Sequence, residues 1–183
     1  MSHHIVEVKD LQYTYPDGTC VLRGVSFRIT HGEAVAIIGA NGAGKSTLLL
    51  QLNGCLLPQA GVVRIGDFPL NKKTLPYVRR TVGMVFQSFN LLPLLTLEEN
   101  VALPRVLQGA SYDQARQEAA NWLGEVGLSG RQGHKPHQVS GGEMQRAAIA
   151  RALINQPAVI LADEPTGNLD LQTGKEIIEL LKE

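Results

Sequence analysis

The chain has 183 residues, which is enough for one domain or for a core with an inserted subdomain. Lysine plus arginine and aspartate plus glutamate both total 17, so the net charge is zero and argues against a general surface for nucleic acid. No apolar run is long enough for a membrane span or a signal peptide, and the two cysteines match no metal or redox spacing. We therefore expect a reducing, cytosolic compartment.

Two kinds of strand are predicted along the chain. Residues 25–29 and 63–65 alternate between apolar and polar side chains, which predicts half-exposed antiparallel strands. Residues 34–38, 82–86 and 158–162 are mostly continuous apolar runs, which predict parallel strands that are buried on both faces. The pattern indicates an α/β protein with a β-rich N-terminal part.

A glycine-rich segment follows the run 34–38. Its residues are, in order, Gly39, Ala40, Asn41, Gly42, Ala43, Gly44, Lys45, Ser46 and Thr47. Glycines let successive backbone amides point at an anion, and the N-terminus of the following helix adds partial positive charge. Lys45 can reach the β- and γ-phosphates, and the Ser46 hydroxyl can ligate Mg²⁺. The alternative is a chance glycine-rich turn, but the combined features predict a loop that binds a nucleoside triphosphate.

Residues 96–155 are rich in Ala, Gln, Glu and Leu and predict a helical region. Ser111 and Gln114 predict a capping box, apolar residues then recur at helical spacing, and Gly127 is placed to end that helix. Trp122 lies in this apolar pattern, so we expect it to pack in a helical core. Residues 172–183 predict a final amphipathic helix whose apolar face holds Ile177, Ile178 and Leu181.

Polar residues follow two of the predicted buried strands. Asp163 and Glu164 come after the run 158–162, and Gln87 comes after the run 82–86. Ligands of α/β sheets bind at the carboxyl ends of the strands. Asp163 could bind Mg²⁺, Glu164 could orient or deprotonate an attacking water, and the Gln87 amide could contact both. The alternatives are a helix cap or turn for the acidic pair and a strand-end hydrogen bond for Gln87.

A second glycine-containing segment consists of Ser140, Gly141, Gly142 and Glu143. It can be a capping box, with Ser140 as the N-cap and Glu143 three residues later. However, two glycines cost about 1 kcal/mol each in a helix interior. They are useful where bare backbone must approach an anion closely. Because residues 39–47 already provide one phosphate site, this second cradle would serve the ATP of another chain.

These motifs together resemble the nucleotide-binding subunit of ATP-binding-cassette transporters. The residues that carry the resemblance are the segment 39–47, Gln87, Val139 with residues 140–143, and the segment 162–170, which ends in Asn168, Leu169 and Asp170. The resemblance implies an α/β fold: a RecA-like P-loop NTPase core with an N-terminal antiparallel β subdomain and an inserted helical subdomain. The core would comprise residues 1–88 and 156–183, and the helical subdomain residues 89–155.

The resemblance also implies partners and further site residues. Two such chains, or one chain with a similar ATPase subunit, would hold two ATP molecules with Mg²⁺, each between one chain's phosphate loop and the other's residues 140–143. Tyr15 would stack on adenine, with Tyr13 as the alternative, although both can be ordinary strand residues. Asp170 would belong to the loop that links the two sites. Residues 86–95 would receive an integral membrane permease at the cytoplasmic face of the membrane, unless their leucines are core residues.

Departures from the family pattern carry expectations of their own. Val139 and Glu143 replace the more usual Leu and Gln, which are mild changes. The family pattern continues with a strand that ends in a histidine on the γ-phosphate, whereas this sequence stops at Glu183. We therefore expect a C-terminally truncated chain that binds ATP poorly or transiently and hydrolyses it with severely weakened activity.

The two halves resemble different transporters. Residues 15–19 and 48–54 resemble ATPases of cobalt, nickel and vitamin importers of the energy-coupling type. Residues 86–93 and 163–170 resemble ATPases of lipoprotein-release and macrolide exporters, and the docking segment favours this side. A recombined chain or an unfamiliar natural branch would explain both. The alternatives in function are a soluble cassette ATPase of DNA repair or translation, against which zero net charge argues, and a non-catalytic nucleotide-binding module.

Overall fold

The computed structural model describes residues 4–181 of the chain. These residues form two compact units, of which one runs to Val82 and the other starts at Gly83. No helix within the described residues is long and apolar enough to cross a membrane. The predicted division into residues 1–88, 89–155 and 156–183 stays a prediction.

An antiparallel sheet of four strands, in the order β2-β1-β3-β4, forms the framework of the first unit. Its elements are β1 His4–Thr14, β2 Cys20–Thr30, α1 Lys45–Leu52, β3 Ala60–Ile65, β4 Phe68–Pro69 and α2 Leu75–Thr81. In β1, Val8 pairs with Phe27 on one side and with Val63 on the other. Val63 and Ile65 are buried while Arg64 between them is half-buried. The predicted antiparallel strands at residues 25–29 and 63–65 are therefore confirmed.

The prediction of a buried strand at residues 34–38 is wrong. These residues form no strand, and Val35, Ile37 and Ile38 are 50%, 40% and 93% exposed. An apolar run becomes a buried strand only where neighbouring strands pair with its backbone and other layers cover its faces. Among the described residues of this unit, the paired strands are β1 to β4, and none of them pairs with residues 34–38.

The second unit combines a two-stranded sheet with helices. Its elements are β5 Val82–Val85, α3 Leu97–Leu107, α4 Tyr112–Glu125, a 3₁₀ helix Pro136–Gln138, α5 Gly141–Leu153, β6 Val159–Ala162 and α6 Leu171–Leu180. β5 pairs with β6, which confirms strands in the runs 82–86 and 158–162. Complete burial of β6 was expected, but Ile160 is 41% exposed, so one side of this strand is uncovered.

Helices α3, α4 and α5 pack around a common core, which confirms the helical region. Its fully buried residues include Leu97, Val101, Ala115, Ala119, Leu123, Ala147 and Ala150. Trp122 packs against this core, and Gly127, at φ +76°, follows the C-cap of α4, both as predicted. Only half of the predicted capping box forms, because Ser111 accepts from the Gln114 N–H while the Gln114 side chain donates to Glu118.

Helix α6 ends at Leu180, and residues 182 and 183 of its predicted range lie outside the described residues. Ile177 is fully buried and packs in a cluster with Val85, Ile149 and Ala152. This cluster joins α6 to β5 and α5. Ile178 was expected on the same buried face but is 39% exposed. Adjacent residues of a helix point about 100° apart, so Ile178 is turned partly away from the cluster that Ile177 faces.

Strand β5 and helix α5 approach each other closely at Gly83. A Cβ atom added to Gly83 would lie 2.6 Å from the Ala152 carbonyl oxygen and 2.9 Å from the Pro157 ring. Such distances are shorter than van der Waals contact, so this position requires glycine. The close approach fixes where the strand that precedes Gln87 lies relative to α5.

Candidate functional site

The phosphate loop in the first unit forms a turn that leads directly into α1. The Ala43 N–H donates to the Ala40 carbonyl, and Gly42 and Gly44 take positive φ angles of +77° and +92°. L-residues other than glycine rarely adopt that conformation. No side chain caps the N-terminus of α1. The first amides of this helix therefore point toward the loop and suit an anion.

Lys45, the first residue of α1, folds back over the loop. Its Nζ donates to the Gly39 carbonyl at 2.9 Å and to the Ala40 carbonyl at 3.1 Å. The ammonium group is thus held at the loop by two neutral acceptors. A charged phosphate oxygen is a stronger acceptor than a carbonyl and can replace these bonds.

Tyr15 lies beside the same helix. Its hydroxyl shares a hydrogen bond of 2.9 Å with the Thr47 hydroxyl, and Thr47 is buried. The Tyr13 and Tyr15 rings meet edge to face, with centroids 5.1 Å apart. The structure therefore brings Tyr15 to the phosphate helix, whereas its stacking on adenine stays a prediction.

In the second unit, the two strand ends bring Gln87 and Glu164 together. The Gln87 Nε2 donates to the Glu164 Oε2 at 2.9 Å, and the Asp163 N–H extends the sheet by donating to the Val85 carbonyl at 3.0 Å. Glu164 takes φ +45°, a left-handed conformation that costs a non-glycine residue about 1–2 kcal/mol. The carboxylate of this strained residue accepts from Gln87, and such strain is typical of functional sites.

Asn168 supports this pair, although sequence analysis gave it no separate role. Its Nδ2 donates to the Gln87 carbonyl at 2.9 Å, while the Gly167 N–H donates to the Glu164 carbonyl at 3.0 Å. A Cβ on Gly167 would lie 3.3 Å from the Gln87 Nε2. The segment after Glu164 thus holds both partners, and its place in the 162–170 motif was the available signal.

The turn at residues 140–143 is a complete capping box at the start of α5. The Ser140 hydroxyl accepts from the Glu143 N–H at 3.2 Å, and the Glu143 Oε2 accepts from the Ser140 N–H at 2.8 Å. Glu143 also pairs with Arg131 at 2.9 Å. The Ser140 N–H, followed by smaller contributions that include Arg131, holds the pKa of Glu143 below its usual range. The capping role is present, and the role toward a second chain's ATP stays a prediction.

The two glycines of this turn have different surroundings. A Cβ on Gly142 would lie 2.7 Å from the Thr173 methyl group, so packing against α6 already requires glycine there. A Cβ on Gly141 would make only ordinary contacts with Leu169 and Phe89. Both glycines border a cleft of about 420 Å³, and its lining includes Ser140, Glu143, Arg146, Asn168, Asp170 and Thr173.

Asp170 is the N-cap of α6. Its Oδ1 accepts from the backbone N–H groups of Gln172 and Thr173, and its Oδ2 accepts from the Thr173 hydroxyl. The hydrogen bond from the Thr173 hydroxyl, followed by the backbone donors, lowers the pKa of Asp170. The side chain is thus fixed at the edge of the cleft, while a role across a dimer stays a prediction.

The predicted docking segment, residues 86–95, is held by a buried amide that sequence analysis did not identify. Asn100 of α3 accepts from the Leu92 N–H at 2.7 Å and donates to the carbonyls of Leu92, Leu95 and Thr96. Leu92 and Leu94 remain 45% and 81% exposed. Leu91 instead packs on the helical core, so core burial explains that leucine.

Comparison with known proteins gives the family. The family model described as ABC transporter matches residues 22–167. The chain belongs to this family. The lipoprotein-releasing system ATP-binding protein LolD of Legionella pneumophila is 45% identical over 190 residues, which cover all of this chain and 84% of LolD. The energy-coupling factor transporter ATP-binding protein EcfA of Methanocaldococcus jannaschii is 44% identical over 181 residues, which cover 97% of this chain and 65% of EcfA.

A solved structure shares the fold. The ATP-binding cassette MJ0796, in a dimeric post-hydrolysis state bound to ADP and phosphate, superposes with a TM-score of 0.87 at 41% identity and covers 96% of this chain and 81% of that one. The predicted P-loop NTPase fold with an antiparallel sheet and a helical region is confirmed. The chain is an ABC ATPase, which binds ATP and hydrolyses it to ADP and phosphate. The resemblance to both transporter classes is also confirmed.

Proposed function

We propose that this ATPase drives a transporter as a pair of chains, with each ATP between one chain's phosphate loop and the other's residues 140–143. The observation that carries the proposal is the hydrogen bond of 2.9 Å between Gln87 and the strained Glu164 at the end of β6. A conformation that costs free energy places a carboxylate where it can act on a water molecule. The dimeric state of MJ0796 supports the pairing.

The proposed reaction is phosphoryl transfer to water. Lys45 and the loop amides bind the phosphates and stabilise the charge that develops on them, which is usually the largest catalytic contribution. The Glu164 Oε2 accepts from Gln87, so the carboxylate is oriented while its second oxygen can accept from the attacking water. Residues 140–143 of the second chain complete the site, which couples hydrolysis to closure of the dimer. Tyr15 holds adenine beside α1, and Asp170 lies at the dimer contact.

Mg²⁺ fits the chemistry of the residues proposed to hold it. Within residues 4–181, no three His, Cys, Asp or Glu side chains lie close enough to hold a metal ion by themselves. Ser46, Gln87 and Asp163 offer hydroxyl, amide and carboxylate oxygens, which Mg²⁺ accepts together with water and substrate phosphates. When bound, the ion neutralises charge on the β- and γ-phosphates. Gln87 presents an oxygen for this role because its nitrogen is engaged with Glu164.

We further propose that an integral membrane permease binds at residues 86–95, which would place the ATPase at the cytoplasmic face of a membrane. The exposed Leu92 and Leu94 support this, and so do relatives named as ATP-binding proteins of transporters. The exporter class stays a prediction, because relatives of both classes match with similar identity. Co-purification tests this proposal against the alternative of a soluble cassette ATPase. An ATPase that has no permease would co-purify with no membrane protein.

The substitution Glu164→Gln tests the proposed function. The amide keeps the shape of the side chain but cannot take a proton, so we expect ATP to bind and turnover to fall at least a hundredfold. The ATP-bound variant should elute as a dimer in size-exclusion chromatography. Glu125→Gln, the same change on the exposed end of α4, is the control and should retain wild-type turnover. Normal turnover by Glu164→Gln would show that another residue is the base.

A further inference from the structure

The chain reverses sharply two residues after Gln87. Phe89 and Asn90 take φ angles of +61° and +50°, and both are non-glycine residues in the left-handed region. The Phe89 N–H donates to the Phe86 carbonyl at 3.1 Å, and the Asn90 N–H donates to the Ser88 carbonyl at 2.6 Å. Such a pair of residues persists only where the surroundings hold it in place.

Arg151, in the C-terminal half of α5, stabilises the conformation of Phe89 and Asn90. Its two terminal nitrogens donate to the Asn90 carbonyl and, at 2.7 Å, to the Phe89 carbonyl. The forked guanidinium matches two adjacent carbonyls, which a lysine cannot contact in the same way. Burial lowers the pKa of Arg151, which reflects the cost of withdrawing its charge from water. The hydrogen bonds to the turn offset that cost.

The same turn lies against the other end of α5. A Cβ placed on Gly141 would lie 3.9 Å from the Phe89 ring, so this ring borders the first residue of the helix. The turn therefore contacts α5 at two places. The Phe89 side chain lies against residues 140–143, and the carbonyls of Phe89 and Asn90 accept from Arg151. Because Gln87 stands two residues earlier and is bonded to Glu164, the turn connects the carboxylate with the segment proposed to contact the second chain's ATP.

We propose that Arg151 is a positioning residue for hydrolysis. By fixing the carbonyls of Phe89 and Asn90, it keeps the Gln87 amide on Glu164 and the Phe89 ring at Gly141. This inference rests on the proposed roles of Gln87 and Glu164. Arg151 acts through the turn and through backbone atoms, so its loss should lower kcat and leave the KM for ATP nearly unchanged.

The test compares Arg151→Met with Arg105→Met. Arg105 also donates two hydrogen bonds within the second unit, but both go to Glu118, away from the turn. Steady-state Mg²⁺–ATP hydrolysis should show kcat at least tenfold lower in Arg151→Met, with KM within twofold of wild type. Arg105→Met should keep kcat within twofold. Arg151→Lys, which retains the charge without the fork, should have intermediate turnover.

A second measurement is independent of turnover. Hydrogen–deuterium exchange of the amides in residues 86–95 should be faster in Arg151→Lys than in wild type and unchanged in Arg105→Met. If Arg151→Met does not fold, Arg151→Lys alone decides. Wild-type kcat and exchange in that variant would overturn the inference, as would equal losses of kcat in the Arg105 and Arg151 variants. Because Glu164→Gln is measured in parallel, normal turnover there would refute the proposed function separately.

Discussion

Lys45 donates to carbonyls of its own loop, and its removal takes away a ligand for phosphate while the backbone bond from Ala43 to Ala40 within the turn remains. We expect Lys45→Ala to weaken ATP binding at least a hundredfold, which corresponds to about 2.8 kcal/mol. Isothermal titration calorimetry with Mg²⁺–ATP measures this. Lys73→Ala, at an exposed lysine of the same unit, should bind like wild type. Retained micromolar affinity in Lys45→Ala would exclude the phosphate-loop role.

Glu143 predicts a pH dependence of stability. Its pKa is lowered in the folded state relative to 4.5, so the ionised carboxylate stabilises the fold above that pH, and this contribution is lost as the pH falls through the folded pKa. Glu143→Gln keeps an acceptor for the Ser140 N–H but loses the ion pair with Arg131. We expect the free energy of unfolding of wild type to be about 0.5 kcal/mol higher than that of the variant at pH 7. At pH 3 the two free energies of unfolding should be equal.

Urea denaturation at pH 7, 5 and 3 measures this difference. Glu125→Gln serves as the control, because that carboxylate is exposed at the end of α4, and its stability should follow wild type at each pH. A difference between wild type and Glu143→Gln that stays constant down to pH 3 would contradict the assignment of ionised Glu143 to the capping box.

Among the elements, the contact between β5 and α5 depends on Gly83. A methyl group there would meet the Ala152 carbonyl at 2.6 Å, and backbone cannot yield as a flexible side chain does. We expect Gly83→Ala to lower the free energy of unfolding by about 1–3 kcal/mol. Gly133→Ala is the matched control, because no atom lies near a Cβ at that position. Thermal unfolding of both variants measures this loss of stability. Equal unfolding midpoints for the two variants would show that β5 can shift away from α5 to make room for the methyl group.

The segment 86–95 depends in turn on Asn100 of α3. The substitution Asn100→Ala leaves the Leu92 N–H and several carbonyls without their buried partner, at an expected cost of about 1–3 kcal/mol. Denaturant unfolding measures it, with exposed Asn121→Ala as the control. If residues 86–95 bind a permease, Asn100→Ala should also reduce co-purification of the membrane partner. Unchanged stability would mean that the leucines hold the segment without the amide.

The elements differ in how far sequence could predict them. Strands β2 and β3 and the helical core follow from periodicity and capping, which are local properties, whereas β1 and β4 were not predicted. Residues 34–38 have the composition of a buried strand, but burial depends on strands that pair with them, which composition does not specify. Likewise, Gln87 and Glu164 could be proposed from strand ends, whereas Asn168 and Arg151 act through hydrogen bonds to backbone atoms that are distant in sequence. Asn100 acts on backbone atoms of a nearby irregular segment, and no periodic pattern marks that contact.

For the whole molecule, the proposed pairing makes turnover depend on protein concentration. If each ATP needs residues 140–143 of a second chain, the rate per chain should rise with concentration and reach a plateau as dimers form. Steady-state hydrolysis measured from nanomolar to micromolar protein tests this. A rate strictly proportional to protein concentration down to the lowest values would indicate that single chains hydrolyse ATP. The predicted weakness of ATP binding and hydrolysis can be checked in the same series.

The left-handed backbone at Glu164 lowers the stability of the fold, whereas the carboxylate that this residue carries is proposed to be needed for turnover. Glycine adopts φ +45° without the penalty that glutamate incurs, and asparagine does so at lower cost. A library screened only for survival of heating should therefore enrich Glu164→Gly and Glu164→Asn, while a screen for hydrolysis should eliminate both. At this position the chain holds a residue that lowers its stability and places a carboxylate beside Gln87.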